Sequence, residues 1–127
     1  MRYLFVCLLA LAVAVSCTHL GDPISDQDFV NDIYETPDYI RITEPGRDSF
    51  EKGLFFYPGA LVDPFAYVSW LDSLVTVNPM LMVVVVKMPA NLAVFNPGKA
   101  FALQDELPPA NHWLLSGHSL GGAMACK

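Results

Sequence analysis

Apolar runs that alternate with amphipathic stretches predict an α/β fold, a mostly parallel sheet with flanking helices. Three observations carry this prediction. Residues 54–57 and 81–86 are continuous apolar runs, the pattern of strands covered on both faces. The stretch between them has helical spacing and opens with Asp63-Pro64. A third apolar run, residues 112–115, passes directly into Ser116-Gly117-His118-Ser119-Leu120-Gly121-Gly122.

The first 17 residues stand apart from this pattern. Met1-Arg2 precedes an unbroken apolar run over residues 3–15, then Ser16-Cys17-Thr18. A helix crossing the hydrocarbon layer takes about 20 apolar residues, so this run is too short to span and suits a signal-peptide core. Residues 1–16 are therefore expected to be a signal peptide. Ala14-Val15-Ser16-Cys17 resembles the lipobox of bacterial lipoproteins, which implies lipidation of Cys17 and a membrane-anchored protein of the cell envelope. Ala14 stands where leucine is usual, and Ala14 with Ser16 also suits ordinary cleavage. The alternative is a secreted or periplasmic protein.

Residues 17–37 are expected to be an acidic tether. Asp22, Asp26, Asp28, Asp32 and Glu35 fall there, and the stretch is too polar to bury a core of its own. Residues 38–127 are expected to form the domain. Tyr39-Ile40-Arg41-Ile42-Thr43 alternates with period two, as an edge or half-buried strand does. Glu44-Pro45-Gly46-Arg47 reads as a turn. Leu54-Phe55-Phe56-Tyr57 is a buried strand closed by Pro58-Gly59. Asp63 can cap the following helix and Pro64 suits its first position. Tyr67, Val68, Leu71, Leu74 and Val75 form the apolar stripe, with Ser69, Asp72, Ser73 and Thr76 opposite. Asn78-Pro79 ends this helix. Leu81-Met82-Val83-Val84-Val85-Val86 is the strongest strand and calls for a central, parallel place. A weak helix is expected near residues 99–105, and His112-Trp113-Leu114-Leu115 is the third buried strand. Trp70 and Trp113 read as core.

Composition narrows the function. The 127 residues are 54% hydrophobic and 16% charged, with a net charge of −6 and no basic patch, which disfavours nucleic acid as a partner. Three cysteines make no disulfide framework, and three histidines without ligand spacing make no zinc signature. No metal or organic cofactor is expected.

Gly117-His118-Ser119-Leu120-Gly121 is Gly-x-Ser-x-Gly between a strand and a helix. Chance places roughly 0.03 such matches in a chain of this composition, before any demand on context. Its chemistry is steric: Ser119 must sit on a sharp turn, and side chains at 117 or 121 would strike the flanking elements. The amide of Leu120 is then free to donate to a developing oxyanion. The plain alternative is that Ser119 caps the helix and the glycines merely turn the chain. A second donor would come from the loop after the first buried strand, Tyr57-Pro58-Gly59-Ala60.

On these motifs, with Leu61-Val62-Asp63-Pro64 and Val86-Lys87-Met88-Pro89-Ala90-Asn91, residues 39–127 resemble the α/β-hydrolase family. They look most like bacterial members with a Tyr-Pro-Gly loop and a Gly-His-Ser-Leu-Gly-Gly elbow. The resemblance implies Ser119 as nucleophile and the backbone amides of Ala60 and Leu120 as the oxyanion hole, with Gly59 the alternative to Ala60. It implies Gly117 and Gly121 as the elbow glycines, and a serine rather than cysteine nucleophile argues against the dienelactone-hydrolase branch. In that family the acid and histidine follow the serine, yet no acid or histidine lies in residues 120–127. The expected fold is therefore an incomplete α/β-hydrolase fold, cut after the elbow. His118 is expected to point away from the attacking face. Asp63 reads as a cap before a catalytic acid, and Lys87 as a solvated strand-end lysine before a substrate contact.

The expected function is acyl-ester hydrolysis through an acyl-enzyme, on a small-molecule or lipid acyl ester, with this chain inactive alone. The alternatives are a non-catalytic envelope lipoprotein or relic and, on the same scaffold, an acyltransferase or thioesterase. The last strand is expected to be an uncovered apolar edge that promotes aggregation.

Overall fold

The computed structural model describes residues 28–127. The signal peptide and the proposed lipidation site Cys17 lie outside the described residues, as does residue range 18–27 of the tether. The described chain runs β1 (Asp32–Glu35), β2 (Tyr39–Thr43), β3 (Phe50–Tyr57), α1 (Val68–Val77), β4 (Leu81–Val86), α2 (Lys99–Leu103), β5 (Ala110–Gly117) and α3 (Leu120–Ala125).

These strands form one five-stranded sheet in the order β1-β2-β4-β3-β5. β4 is central because all six of its side chains are apolar and can be covered from both sides. Period two divides them: Met82, Val84 and Val86 join the core under α2 and α3, while Leu81, Val83 and Val85 join the core under α1. The first core is filled by Phe55, Tyr57, Ala100 and Leu103, the second by Ile40, Ile42, Phe56, Val68, Leu71 and Val75. The three layers are thus helix, sheet, helices.

The expectation of a mostly parallel sheet needs correction. β3 pairs parallel with β4 and with β5, but β2 pairs antiparallel with β4 and β1 antiparallel with β2. The sheet is mixed. The cause is loop length: residues 44–49 are too few for a helical crossover, which takes a dozen or more, so β2 and β3 run in opposite directions. β2 is no edge strand either. Four of its five residues are buried because β1 flanks it.

The tether boundary moves as well. β1 lies within residues 17–37, joined to β2 by a turn in which Thr36 accepts from Asp38 and Tyr39 and donates to the Tyr39 carbonyl. Just before it, buried Asp72 on α1 accepts from the Val30 amide at 3.2 Å, the Asn31 amide at 3.1 Å and the Asn31 side-chain amide at 2.9 Å. Asp72 was expected on the solvent side of α1. It is buried because the segment before β1 covers it, and its carboxylate satisfies donors that the segment could not satisfy alone.

At the other edge, no strand among the described residues pairs with the outer side of β5. Trp113 stacks on Phe55 with ring centroids 4.6 Å apart, whereas Leu114 faces solvent at 51% exposure. Trp70 is also half-exposed, meeting Phe56 edge-on, so only Trp113 packs as core. No helix among the described residues is long and apolar enough to cross a membrane.

Candidate active site

The parallel strands β3, β4 and β5 deliver three loops to the same end of the sheet, their carboxyl end, where ligands bind in open α/β sheets. The β5–α3 junction is the most constrained of these. Ser119 there has φ 52° and ψ −121°, a conformation that side chains rarely adopt and that surrounding structure must impose. The constraints can be named. The His118 amide donates to the Tyr57 carbonyl at 3.0 Å, and the Gly121 amide to the His118 carbonyl at 2.9 Å. A Cβ on Gly117 would stand 2.6 Å from the Gly121 carbonyl carbon, and one on Gly121 would overlap the Tyr57 and Pro58 carbonyl oxygens. Both positions therefore admit only glycine.

The capping alternative for Ser119 does not hold. Its side chain makes no capping hydrogen bond, and the residue is exposed. Leu120, the first residue of α3, has an amide without an acceptor among the described residues.

The loop after β3 lies against this junction. Its amides are engaged one by one: Gly59 donates to the Tyr67 hydroxyl at 2.9 Å, Leu61 to the Asn91 carbonyl at 2.9 Å, and Val62 to the Gly59 carbonyl at 3.2 Å. Between Gly59 and Val62 the Ala60 amide alone has no acceptor among the described residues. Of the two alternatives for a second donor, Gly59 is thus occupied, and Ala60 has no acceptor among the described residues. Leu61 (φ 58°) and Asn91 (φ 54°) are both left-handed, so the bond between them joins two strained positions.

Three side chains fix the segments around the junction. Tyr57, buried at the end of β3, donates its hydroxyl to the Pro97 carbonyl at 2.7 Å and accepts from the Ala100 amide at 3.1 Å. Burial pushes the Tyr57 pKa above its ordinary value, opposed by the bond from Ala100, so the phenol stays neutral. Tyr67 and His118 meet at 3.0 Å, between Tyr67 Oη and His118 Nδ1. His118 Nδ1 is thus turned to Tyr67 beside the loop.

Other candidates fall outside the site. Asp63 Oδ1 accepts from the Phe65 amide at 2.9 Å and is a cap, although the first turn, Pro64–Tyr67, is a 3₁₀ turn that only then leads into α1. Lys87 is engaged and not merely solvated: it pairs with Glu35 of β1 and lies 5.3 Å from the Phe65 ring centre. His112 sits near the start of β5, opposite Lys52 and far from Ser119 along the strand. An open hollow of about 300 Å³ lined by Lys52, Val77, Asn78 and Met80 belongs to that opposite end too. Among the described residues no carboxylate or imidazole bonds the Ser119 hydroxyl, and no three of His, Cys, Asp and Glu gather as a metal site.

Sequence reasoning missed Tyr67, which reads as helix core, and the Asn91 carbonyl, which carries no side-chain signal. Residues 53–127 match the model of the alpha/beta hydrolase family. No curated protein and no solved structure gives a significant match.

Proposed function

Because this chain belongs to the alpha/beta hydrolase family, we propose that it carries the nucleophile of an exported serine hydrolase that cleaves acyl esters. Ser119 attacks the ester carbonyl, and the amides of Ala60 and Leu120 hold the developing oxyanion. The alcohol leaves, and water then releases the acyl group from Ser119. The observation that carries this reading is the strained Ser119 between two obligatory glycines, with two unengaged amides on the elements beside it. Strain of this kind costs on the order of 1–3 kcal/mol and persists where a side chain must be presented.

A serine hydroxyl is a weak nucleophile at neutral pH unless a base takes its proton. The described residues offer none, so the acid and histidine of the reaction are not among them. The same fact favours a second reading, a binding lipoprotein without catalysis. A fluorophosphonate probe decides between them. Applied to the native gene product, it should label Ser119 and leave the Ser119→Ala variant unlabelled. Absent labelling selects the non-catalytic reading.

The exported, lipid-anchored state through Cys17 is part of the proposal and has its own test. Incorporation of labelled fatty acid should vanish in Cys17→Ala; unchanged incorporation refutes the anchor.

A further inference from the structure

We infer that Tyr67 and His118 are positioning residues that aim the Ala60 amide, an inference that rests on the hydrolase reading. The geometry begins with one peptide plane. The Gly59 carbonyl accepts from Val62 at 3.2 Å, and a trans peptide sets the Ala60 N–H opposite to that carbonyl. The direction of the Ala60 donor is therefore decided by how the Gly59 residue is held. Its other side is held by Tyr67, whose hydroxyl accepts the Gly59 amide at 2.9 Å.

Tyr67 is itself held from the elbow. Its oxygen lies 3.0 Å from His118 Nδ1, and its ring stands 6.0 Å from the imidazole. The proton count selects one arrangement. Gly59 donates to Tyr67 and Tyr67 donates to His118 Nδ1, which leaves the ring proton on Nε2. In the reverse arrangement the phenol proton has no acceptor among the described residues. The contact is also close: a Cβ on Gly59 would come within 2.8 Å of Nδ1. The residue beside the nucleophile thus reaches under the neighbouring loop, so both unengaged amides are referenced to one turn. Leu120 follows Ser119 directly, and Ala60 is set through His118 and Tyr67.

The test measures the fluorophosphonate labelling rate at Ser119 in the native gene product and three variants, with thermal melting to establish that each is folded. Tyr67→Phe keeps the ring and removes the relay; His118→Phe removes the acceptor. Both should label about 10- to 100-fold more slowly, the cost of a misplaced oxyanion donor. His118→Asn places an amide oxygen where Nδ1 stands and should recover most of the rate, which loss of packing alone would not explain. A wild-type rate in Tyr67→Phe, or His118→Asn as slow as His118→Phe, overturns the assignment. If wild type takes no label the hydrolase reading fails, and the hydrogen bonds are still read by NMR. A protonated-type Nδ1 shift at neutral pH, or a Gly59 amide that exchanges as fast as Ala60, overturns them; an unprotonated Nδ1 and a protected Gly59 amide uphold them.

Discussion

At the scale of single residues, the loop end of the sheet is held by groups that cannot be exchanged for near relatives. Gly121 is the sharpest case. Adding one methyl there sets it against the Tyr57 and Pro58 carbonyls, both backbone atoms that cannot move without moving β3. Gly121→Ala should destabilise by about 1–3 kcal/mol, the cost of overpacking, and chemical denaturation would measure it. Tyr57 and Tyr39 make a pH prediction. Burial raises both pKa values above those of the unfolded chain, against a lowering influence from the Ala100 bond at Tyr57 and from Arg41 at Tyr39. A raised acid pKa means the folded state keeps its proton longer. The stability is then whole below about pH 10 and declines as pH climbs through the folded values. Urea titrations at pH 8 and pH 11 should show that loss, and Tyr57→Phe should show less of it.

At the scale of elements, what was legible followed the range of the signal. β3, β4 and α1 could be read because each announces itself within ten residues, as Leu81 to Val86 does by lacking any polar residue. The turn at Ser119 could be read for the same reason. β1 could not: Asp-Ile-Tyr-Glu is short and acidic, and it is ordered by β2 and by a carboxylate on α1 about 40 residues away. The bond between Tyr67 and His118 spans 51 positions and leaves no local mark. Strand direction was legible and misread, since the short 44–49 connection already forbids a parallel crossover. The free edge of β5 carries a prediction of its own. No charged or proline residue interrupts Ala110–Gly117, and such edges recruit other strands. Leu114→Lys should reduce concentration-dependent light scattering while altering stability by no more than about 0.5 kcal/mol.

For the molecule as a whole, the segment before β1 and the loop end of the sheet are tied to one body by polar contacts. Lys87 pairs with Glu35, and Lys99 pairs with Asp38 at 2.8 Å while donating to the Lys87 carbonyl at 2.7 Å. Beneath them, the Asp72 carboxylate closes the segment onto α1. Asp72→Ala would leave the Val30 and Asn31 backbone amides without their carboxylate acceptor where water is scarce, a loss of about 1–3 kcal/mol, while the Asn31 side chain keeps the residue-72 carbonyl and the Thr76 hydroxyl. Limited proteolysis should then cut near residues 28–35 in the variant and spare them in the wild type. Equal cutting of both would show that the contacts do not secure the segment.

That closure also sets a length. If Cys17 is fastened to a membrane, the first hold of the domain on the chain beyond it, among the described residues, is at Val30 and Asn31, which Asp72 grips, and not at the start of β2. Fourteen residues reach at most about 50 Å, against about 70 Å for a leash that ran on to residue 37. The clamp therefore limits how far Ser119 can range from the bilayer. On the proposed anchoring and ester cleavage, esters held in the envelope surface would come within its radius, and other substrates would have to diffuse to it. A single aspartate on a helix, remote from the chemistry, would thus help decide which pool of esters the serine meets.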